Sequence, residues 1–514
     1  MTKLRFVAVS VFILVLYLNL DHVQGVFNRD VMNVSILSME EIEALCTGKE
    51  ETFLEPCVTL SGAAIAYDRG QNMLLIPQSL QEENFQGRLS VPEGKLYFLE
   101  EEAFGDKAGA ISSNQVFRLF WITDTQCWMY NVYFSGMPVL CLTTTAQENE
   151  ESYGTVWVYD PYRTEESYPD MECTWHIRGN TTRQYEKANY RLTLTEGKAS
   201  LLGMRQDDDW ILHSLYDDAG MIHNKVSYEV WQRIAGSNQV SNDEGINMEY
   251  LELFKDGQYL GIYGLSERID KKELALGKKD ILYKWRQIGY PGEDDFYSEL
   301  TEEMDPHFVM KYPPEYILQD WEPLMQWTSL FLNEEFTDYE AGRTLLNMEN
   351  AIDYNLFIML SGADDNILKN MYLWADYQPD GSYRFIKIPW DLNMTWGNSY
   401  VDEYACHFNK YQQRNIESTW SFAPDIYKLY LYNPEEMGEM IRKRWQELRE
   451  NSITKESLRE IVDAQYQYLY STGAYIRNAW LWPEEGDYWA DEYIYEYIDK
   501  RIDFLDEYIG QMGR

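Results

Sequence analysis

The sequence predicts an α+β protein with a β-rich N-terminal region, a small mixed lobe and a larger helical lobe. In residues 27–150, short apolar runs are separated by Gly, Asp and Ser, as in strands joined by turns. Residues 153–284 combine strand patterns with one helical pattern, and residues 285–514 have mainly helical spacing. We therefore expect domain boundaries near residues 150 and 285, with the acidic stretch Gln147–Ser152 as a linker.

Within the N-terminal region the expected strands are Met73–Ile76, Lys95–Leu99, Phe117–Ile122 and Trp128–Phe134. In the mixed lobe, Tyr190, Leu192 and Leu194 alternate with polar residues, which is the period of a half-buried strand. The other expected elements of this lobe are a strand at Gly154–Tyr159, a helix at Asp217–Ile234 stopped by Gly236, and a hairpin of Tyr250–Lys255 and Gln258–Tyr263.

In the helical lobe, Asn433, Pro434 and Glu436 supply an N-cap, a first-turn proline and a capping acid. Leu458 to Leu469 and Ile494 to Ile509 keep helical spacing. One predicted β-hairpin interrupts this lobe, with strands Tyr372–Ala375 and Tyr383–Pro389 around a turn at Pro379-Asp380-Gly381.

The composition argues against disorder and against a nucleic-acid partner. The 514 residues are 45% hydrophobic and 15% aromatic, which is ample material for packed cores. There are 85 acidic and 44 basic side chains, a formal net charge of -41, whereas phosphate backbones are bound by Lys and Arg.

The N-terminus has the pattern of an export signal. Lys3 and Arg5 precede an apolar run from Phe6 to Leu20, and residues 22–25 offer a cleavage site. The run is about 15 residues long, which is short for a membrane span. We expect removal of residues 1–25 and a secreted or extracytoplasmic protein without further membrane contact. An uncleaved segment would instead anchor the chain.

Export favours oxidised cysteines, and the chain has six. The expected pairs are the sequence neighbours Cys46–Cys57 and Cys127–Cys141, with Cys173–Cys406 as a long-range bond. The spacings alone leave all of the roughly 15 connectivities open.

The candidate chemistry lies on both sides of the predicted hairpin in the helical lobe. Asp365 and Asn370 are five residues apart, the spacing of the catalytic-loop Asp and Asn of protein kinases, and Asp391 follows the second strand. Asp365 would accept the proton of a hydroxyl group, while Asn370 and Asp391 would hold Mg²⁺ or Mn²⁺, which prefer oxygen ligands. The alternative is that this spacing arises by chance in an acidic chain.

Phosphoryl transfer also needs a cation and a backbone cradle for the nucleotide phosphates. The turn Arg178-Gly179-Asn180-Thr181 lies between two predicted strands, and Lys187 begins the second. Glu267 is the favoured partner of Lys187, with Glu229 as a rival. Otherwise, Lys187 would be a solvated lysine at a strand end.

These and other segments, in this order, resemble the CotH kinase family, the spore-coat-protein-H-like atypical kinases, over roughly residues 153–510. The segments are Ile177–Thr182, Lys187 with Tyr190-Arg191, Trp210–Leu212, Gly257–Tyr263 with Glu267, Asp365 with Asn370–Tyr372, Ile388–Leu392 and Arg501–Asp506. The resemblance implies a two-lobed kinase-like fold that phosphorylates Ser or Thr of a secreted, coat or cell-surface protein, with ATP and Mg²⁺ or Mn²⁺. It also implies that Asp365 is catalytic, that Asn370 and Asp391 hold metal, and that Lys187 contacts phosphate.

The chain departs from the family pattern at three places. Asn393 stands where a second Asp is expected in W-D-x-D, Asp364 is a rival to Asp365, and His223-Asn224 replaces Arg-Asn. Two other functions therefore remain open: a kinase-fold protein that binds without transferring phosphate, and a carbohydrate-associated surface protein.

Overall fold

The computed structural model describes residues 30–51, 57–164, 168–179, 181–218, 220–287, 307–333, 335–398, 423–483 and 492–514. In these residues the chain forms eleven α-helices and 24 strands, so the α+β class is confirmed. The expected signal segment 1–25 lies outside the described residues. Among the helices that the structure describes, none is long and apolar enough to cross a membrane.

The N-terminal region is built on an eight-stranded sheet. Its strand order is β1-β2-β9-β10-β11-β7-β6, β3 pairs with β11, and β5-β4-β8 form a small separate sheet. The strands are β1 Asp30–Val31, β2 Val34–Leu37, β3 Glu50–Glu51, β4 Thr59–Leu60, β5 Ala63–Ala64, β6 Ala66–Asp68, β7 Met73–Pro77, β8 Leu89–Ser90, β9 Lys95–Leu99, β10 Val116–Ile122 and β11 Gln126–Ser135. Two helices, α1 Met39–Cys46 and α2 Lys107–Ser112, accompany the sheet.

A closed barrel of seven strands follows, in the order β12-β13-β14-β15-β18-β20-β19. The elements are β12 Val139–Glu148, β13 Glu151–Tyr159, β14 Tyr168–Arg178, β15 Asn189–Leu194, β16 Ala199–Ser200, β17 Gln206–Asp207, β18 Asp209–His213, helix α3 His223–Ala235, β19 Met248–Lys255 and β20 Gln258–Ser266. Inward-facing residues such as Trp175, Leu192 and Trp210 fill the barrel core. Parallel pairing of β12 with β19 closes the barrel.

The remaining chain joins a four-stranded sheet to a set of helices. The sheet has the order β22-β21-β23-β24. The elements are β21 Ile281–Trp285, β22 Phe308–Tyr312, α4 Glu322–Phe331, α5 Tyr339–Leu345, α6 Met348–Ser361, β23 Met371–Tyr377, β24 Tyr383–Pro389, α7 Pro424–Tyr432, α8 Pro434–Asn451, α9 Lys455–Ser471, α10 Ala474–Leu481 and α11 Glu492–Gln511. A continuous hydrophobic core connects this sheet, helix α3 and the later helices.

Three expected features differ from the observed fold. The stretch Gln147–Ser152 is a hairpin and not a linker, because Gln147 pairs with Ser152 between β12 and β13. The expected boundary at residues 284/285 falls within β21, and this strand pairs with β23, so the predicted hairpin belongs to a larger sheet. Helix α3 begins at His223 and not at Asp217, although it ends before Gly236 as expected.

The cysteine pairing predicted from sequence is wrong. The structure joins Cys46 at the end of α1 to Cys127 in β11, and Cys57, Cys141 and Cys173 are free thiols. Cys406, the expected partner of Cys173, lies outside the described residues. The Cys46–Cys127 bond spans 81 residues, because the fold brings the end of α1 beside β11. Cys141, the expected partner of Cys127, lies on β12 in the barrel, which is a different sheet.

We expect Cys57 to be the only one of the three free thiols that reacts with iodoacetamide at neutral pH in the folded protein. Cys57 is exposed, whereas burial raises the pKa of both other thiols, that of Cys173 to about 12, and the thiolate is the reactive form. Mass spectrometry of tryptic peptides before and after unfolding measures this, and Cys57→Ser is the control. Labelling of Cys141 or Cys173 in the folded protein would contradict their burial.

Candidate functional site

The loop that carries Asp365 is positioned by a buried helix. Helix α6 has buried residues on every face, and it ends at Gly362, whose φ of 66° lies in the left-handed region that Gly adopts most readily. A short 3₁₀ turn, Asp364–Asn366, follows directly. The core around α6 therefore determines where this turn begins.

The hairpin β23–β24 brings its two ends together as the sequence predicts. Met371 pairs with Pro389, and the Trp390 backbone N–H donates to the Asn370 carbonyl at 3.1 Å. Asn370 and Asp391 both have positive φ, 53° and 63°, a conformation enriched in Asn and Asp and concentrated at functional sites. The two expected metal ligands, Asn370 and Asp391, thus lie at the same end of one hairpin.

Asn366 links this hairpin end to the Asp365 turn. Its buried side-chain Nδ2 donates to the carbonyls of Asn370 at 2.9 Å and Trp390 at 2.6 Å. The Tyr354 hydroxyl of α6 donates to the Asn366 carbonyl at 2.8 Å. The sequence offered no signal for Asn366, because an Asn after two Asp residues is also typical of an ordinary polar turn.

The carboxylate of Asp365 contacts two residues of its own loop. Its Oδ2 accepts a hydrogen bond from Asn370 Nδ2 at 2.6 Å, and its Oδ1 forms an ion pair with Lys369 Nζ at 2.6 Å. Asp365 and Asn370 are therefore in direct contact, as their spacing predicts. Lys369 was missed, although a lysine four residues after an Asp is a recognisable pattern.

A second carboxylate reaches Asp391 from the loop before α3. Asn393 Nδ2 donates to Asp217 Oδ2 at 2.8 Å, and Asn398 Nδ2 donates to the Asp217 carbonyl at 3.2 Å. Burial, followed by the charges of Asp391 and Asp218, raises the pKa of Asp217 to about 7. Asn393 stands where the family pattern has a second Asp, and its side chain holds the carboxylate of Asp217 near Asp391. Because the sequence pattern predicted a helix from Asp217 onward, it did not predict this loop.

The His223-Asn224 departure has a clear structural account. Asn224 Oδ1 accepts the Leu392 backbone N–H at 2.8 Å and so holds the residue after Asp391. His223 Nδ1 lies 2.6 Å from Asp218 Oδ1, and its Nε2 lies 2.7 Å from the Tyr493 hydroxyl of α11. His223 thus connects the start of α3 to the C-terminal helix.

Two cations lie against Trp390, immediately before Asp391. The Arg178 guanidinium carbon is 5.6 Å and the Lys284 ammonium 5.4 Å from the Trp390 ring centroid. Burial, then the charges of Arg178 and Lys311, lowers the pKa of Lys284 to about 7 against the opposing effect of Asp391. Burial also lowers the pKa of Arg178, and Asp391 opposes this shift most strongly. Lys284 was not predicted from sequence because it lies inside a strand pattern.

Lys187 and Glu267 contact different partners. Lys187 is 1% exposed, its ammonium donates to Asn478 Oδ1 at 2.8 Å, and it lies 5.2 Å from the Tyr263 ring centroid. The carboxylate of Glu267 accepts hydrogen bonds from the backbone N–H groups of Arg205 and Asn247 and from the Asn247 side chain. The predicted Lys187–Glu267 pair is therefore not formed among the described contacts.

The turn after Arg178 requires a glycine. Gly179 has a φ of 111°, and a Cβ atom there would lie 1.9 Å from Thr182 Oγ1. Asn180 lies outside the described residues, and of Thr181 the structure describes the backbone, in a 3₁₀ turn Thr181–Gln184.

The donor set around Asp391 suits a hard divalent cation. Asp391 and Asp217 offer carboxylates close to each other and Asn370 offers an amide oxygen, and oxygen ligands of this kind are those that Mg²⁺ and Mn²⁺ prefer. Asn366 Oδ1 is a buried acceptor in this region with no hydrogen-bond partner in the described part of the chain. Among the described residues, no group of three or more His, Cys, Asp or Glu side chains is placed so that it could hold a metal ion. A metal site here would therefore include Asn or non-protein oxygens.

The comparison with known families agrees with this geometry. The family model described as "CotH kinase protein" matches residues 175–510, which include Arg178, the barrel strands that follow it and the whole Asp365–Asp391 hairpin region. A match over this range identifies a kinase-like protein. The chain belongs to the CotH kinase family. No curated protein matches the sequence.

Proposed function

We propose that this protein transfers the γ-phosphoryl group of ATP to a Ser or Thr hydroxyl of a secreted, coat or cell-surface protein, with Mg²⁺ or Mn²⁺. The observation that carries the proposal is the arrangement at one hairpin end. There Asn366 binds the carbonyls of both Asn370 and Trp390, so that Asp365, Asn370 and Trp390, the residue before Asp391, belong to one hydrogen-bonded unit. Family membership gives this arrangement its kinase interpretation.

The proposed roles follow from the contacts of each side chain. Asp365 orients the acceptor hydroxyl and accepts its proton, and its ion pair with Lys369 fixes the direction of the carboxylate. The Nδ2 group of Asn370 donates to Asp365. The amide oxygen of Asn370 is therefore available to bind a divalent ion together with Asp391. When bound, such an ion would offset negative charge on the phosphoryl oxygens. Gly179, Asn180 and Thr181 would provide a backbone cradle, while Lys187 precedes β15 and Glu267 follows β20.

The exported location is part of the proposal. It is supported by the charged and apolar pattern of residues 1–25 and by the Cys46–Cys127 disulfide, since such bonds persist mainly in oxidising compartments.

Incubation with γ-labelled ATP and Mg²⁺ or Mn²⁺ tests the function. We expect wild-type protein to label itself or an exported acceptor, and Asp365→Asn to lower the rate by at least about 100-fold, since the substitution removes the general base. ATP binding by Asp365→Asn should be unchanged, as measured by calorimetry.

Asp364→Asn is the matched control, because it removes one carboxylate from the same turn. We expect a mild effect, since it is the carboxylate of Asp365 that accepts the hydrogen bond of Asn370. A severe loss in Asp364→Asn with an active Asp365→Asn would reverse the two assignments. Wild-type protein that binds ATP but labels neither itself nor any exported protein would favour a kinase-fold protein without transfer.

A further inference from the structure

Arg178 and Lys284 are two cations without a direct carboxylate contact. Within the described part of the chain, neither side chain forms a hydrogen bond or an ion pair, and both lie against aromatic rings, although Asp391 is near enough for its charge to act on both. Three arginines of the region are instead paired with carboxylates: Arg191 and Arg268 bind Asp209, and Arg205 binds Asp207 and Glu273. The chain has 85 acidic residues, so two adjacent cations without a direct carboxylate contact indicate a binding site for an anion.

The two cations come from separate elements and converge at one ring. Arg178 is the last residue of β14 in the barrel, whereas Lys284 lies in β21 of the four-stranded sheet, paired with Tyr372. Lys284 Nζ is 5.5 Å from the Tyr372 ring centroid and 5.4 Å from that of Trp390. Both side chains are partly buried, so their mutual repulsion is screened less than at an open surface. An anion bound between them would relieve that repulsion.

We propose that Arg178 and Lys284 form a binding site for the phosphate chain of the nucleotide, beside Trp390. This inference rests on the proposed function and names the residues that hold its phosphates. The planar guanidinium of Arg178 suits two-point contact with phosphate oxygens, and the ammonium of Lys284 acts as a compact charge.

Proximity to Asp391 identifies phosphate as the ligand and not an acidic peptide. Trp390 precedes Asp391 directly, so a phosphate chain that reaches the donors of Asp391 and Asn370 also comes within reach of both cations. Peptide carboxylates at the same place would be left facing Asp391 and Asp217 without a metal between them.

Lys187 has a different environment from Lys284. Its ammonium is bound to Asn478 of α10, and Asn478 also accepts the backbone N–H of Ile262 in β20. Lys187 therefore joins the barrel to α10, whereas Lys284 lies against the rings of Tyr372 and Trp390 with the Arg178 charge nearby. We infer that loss of the Lys284 charge affects phosphate binding and that loss of the Lys187 charge affects mainly the contact with α10.

Calorimetric titration of the full-length protein with inorganic tripolyphosphate, and separately with ATP, tests this site. We expect Lys284→Met to weaken both affinities by about 10-fold or more, because a charge-assisted contact is lost, and Lys284→Arg to stay close to wild type. Lys279→Met is the matched control. It removes an equal charge from a lysine that also lies over a tyrosine ring, 4.2 Å from the Tyr377 centroid, just before the same strand. Its affinities should be unchanged.

Wild-type affinity for tripolyphosphate in both Lys284→Met and Arg178→Gln would overturn the proposal. So would competition by a Glu-rich peptide without any binding of tripolyphosphate, since the site would then take an acidic acceptor. The second variant, Arg178→Gln, keeps the test valid should Lys284→Met fail to fold. Binding that depends on Lys284 in a protein that never transfers phosphate would support this site while contradicting the proposed catalysis.

Discussion

Replacing Asp391 by Asn is expected to lower phosphoryl transfer by at least about 100-fold, a cost of about 2.7 kcal/mol in the activation barrier. In the proposed site Asn370 offers a neutral oxygen, so Asp391 would supply a negative charge for a divalent ion at the hairpin end. Removing that charge weakens the compensation of the phosphoryl oxygens in the transition state. The rate of label transfer from γ-labelled ATP measures the effect.

The fold should tolerate this substitution well. Asp391 has a φ of 63°, and Asn adopts this left-handed conformation as readily as Asp does. The backbone N–H groups on each side are bound, that of Trp390 by the Asn370 carbonyl and that of Leu392 by the Asn224 side chain, and neither bond involves the Asp391 side chain. The melting temperature of Asp391→Asn should therefore stay close to that of wild type.

Asp380→Asn is the matched control for Asp391→Asn. Asp380 lies in the turn at the opposite end of the same hairpin, where its carboxylate only accepts hydrogen bonds from Ser382. Its replacement should leave transfer unchanged. Undiminished transfer by Asp391→Asn, at comparable stability, would show that Asp391 only shapes the hairpin end and that the metal assignment is wrong.

Replacing Arg477 by Met is expected to destabilise the folded protein by about 3–5 kcal/mol, because a buried carboxylate would lose its partner. The side chains of Arg477 and Glu252 are 2% and 0% exposed and form a two-point ion pair, with distances of 2.9 and 2.8 Å. Arg477 Nη1 also donates to Asn114 Oδ1 at 2.6 Å. The shift of the urea unfolding midpoint, monitored by tryptophan fluorescence, measures the loss.

This ion pair connects three parts of the molecule. Arg477 belongs to α10, Glu252 to barrel strand β19, and Asn114 to the N-terminal region after α2. The Tyr259 hydroxyl and the Ser135 hydroxyl also donate to Glu252. We therefore expect Arg477→Met to loosen the N-terminal sheet as well, with earlier proteolysis of residues 30–135.

Arg343→Met is the control for Arg477→Met. Arg343 pairs with Glu436 at 2.7 Å, but the two side chains are 32% and 39% exposed, and such pairs contribute roughly 0–1 kcal/mol. If the midpoint shift of Arg477→Met is no larger than that of Arg343→Met, other groups must stabilise the buried charge of Glu252 without Arg477.

The local elements of this protein follow from its sequence. Alternation at Tyr190, Leu192 and Leu194 predicts β15, and an Asn-Pro start with Glu436 predicts the N-terminus of α8; both are confirmed. The hairpin around Asp380 is also confirmed, and with it the contact of Asp365 with Asn370. These features depend on turn chemistry, periodicity and spacings of a few residues, which are properties of short segments.

Other features of the site arise only in the tertiary structure. Asp217 approaches Asp391 through Asn393, which is 176 residues away in sequence, and Arg178 meets Lys284 at Trp390 because the barrel packs beside the four-stranded sheet. The disulfide partner of Cys46 likewise depends on where β11 lies in its sheet.

The physical reason is the range of the interactions. Periodicity shows which face of a strand or helix is buried, but it does not show which other segment covers that face. Parallel pairing of β12 with β19 closes the barrel across more than 100 residues, and Arg178 at the end of β14 in this barrel lies against Trp390. Single-sequence patterns therefore predicted the hairpin and its acids, whereas packing determined which cations and which second carboxylate surround them.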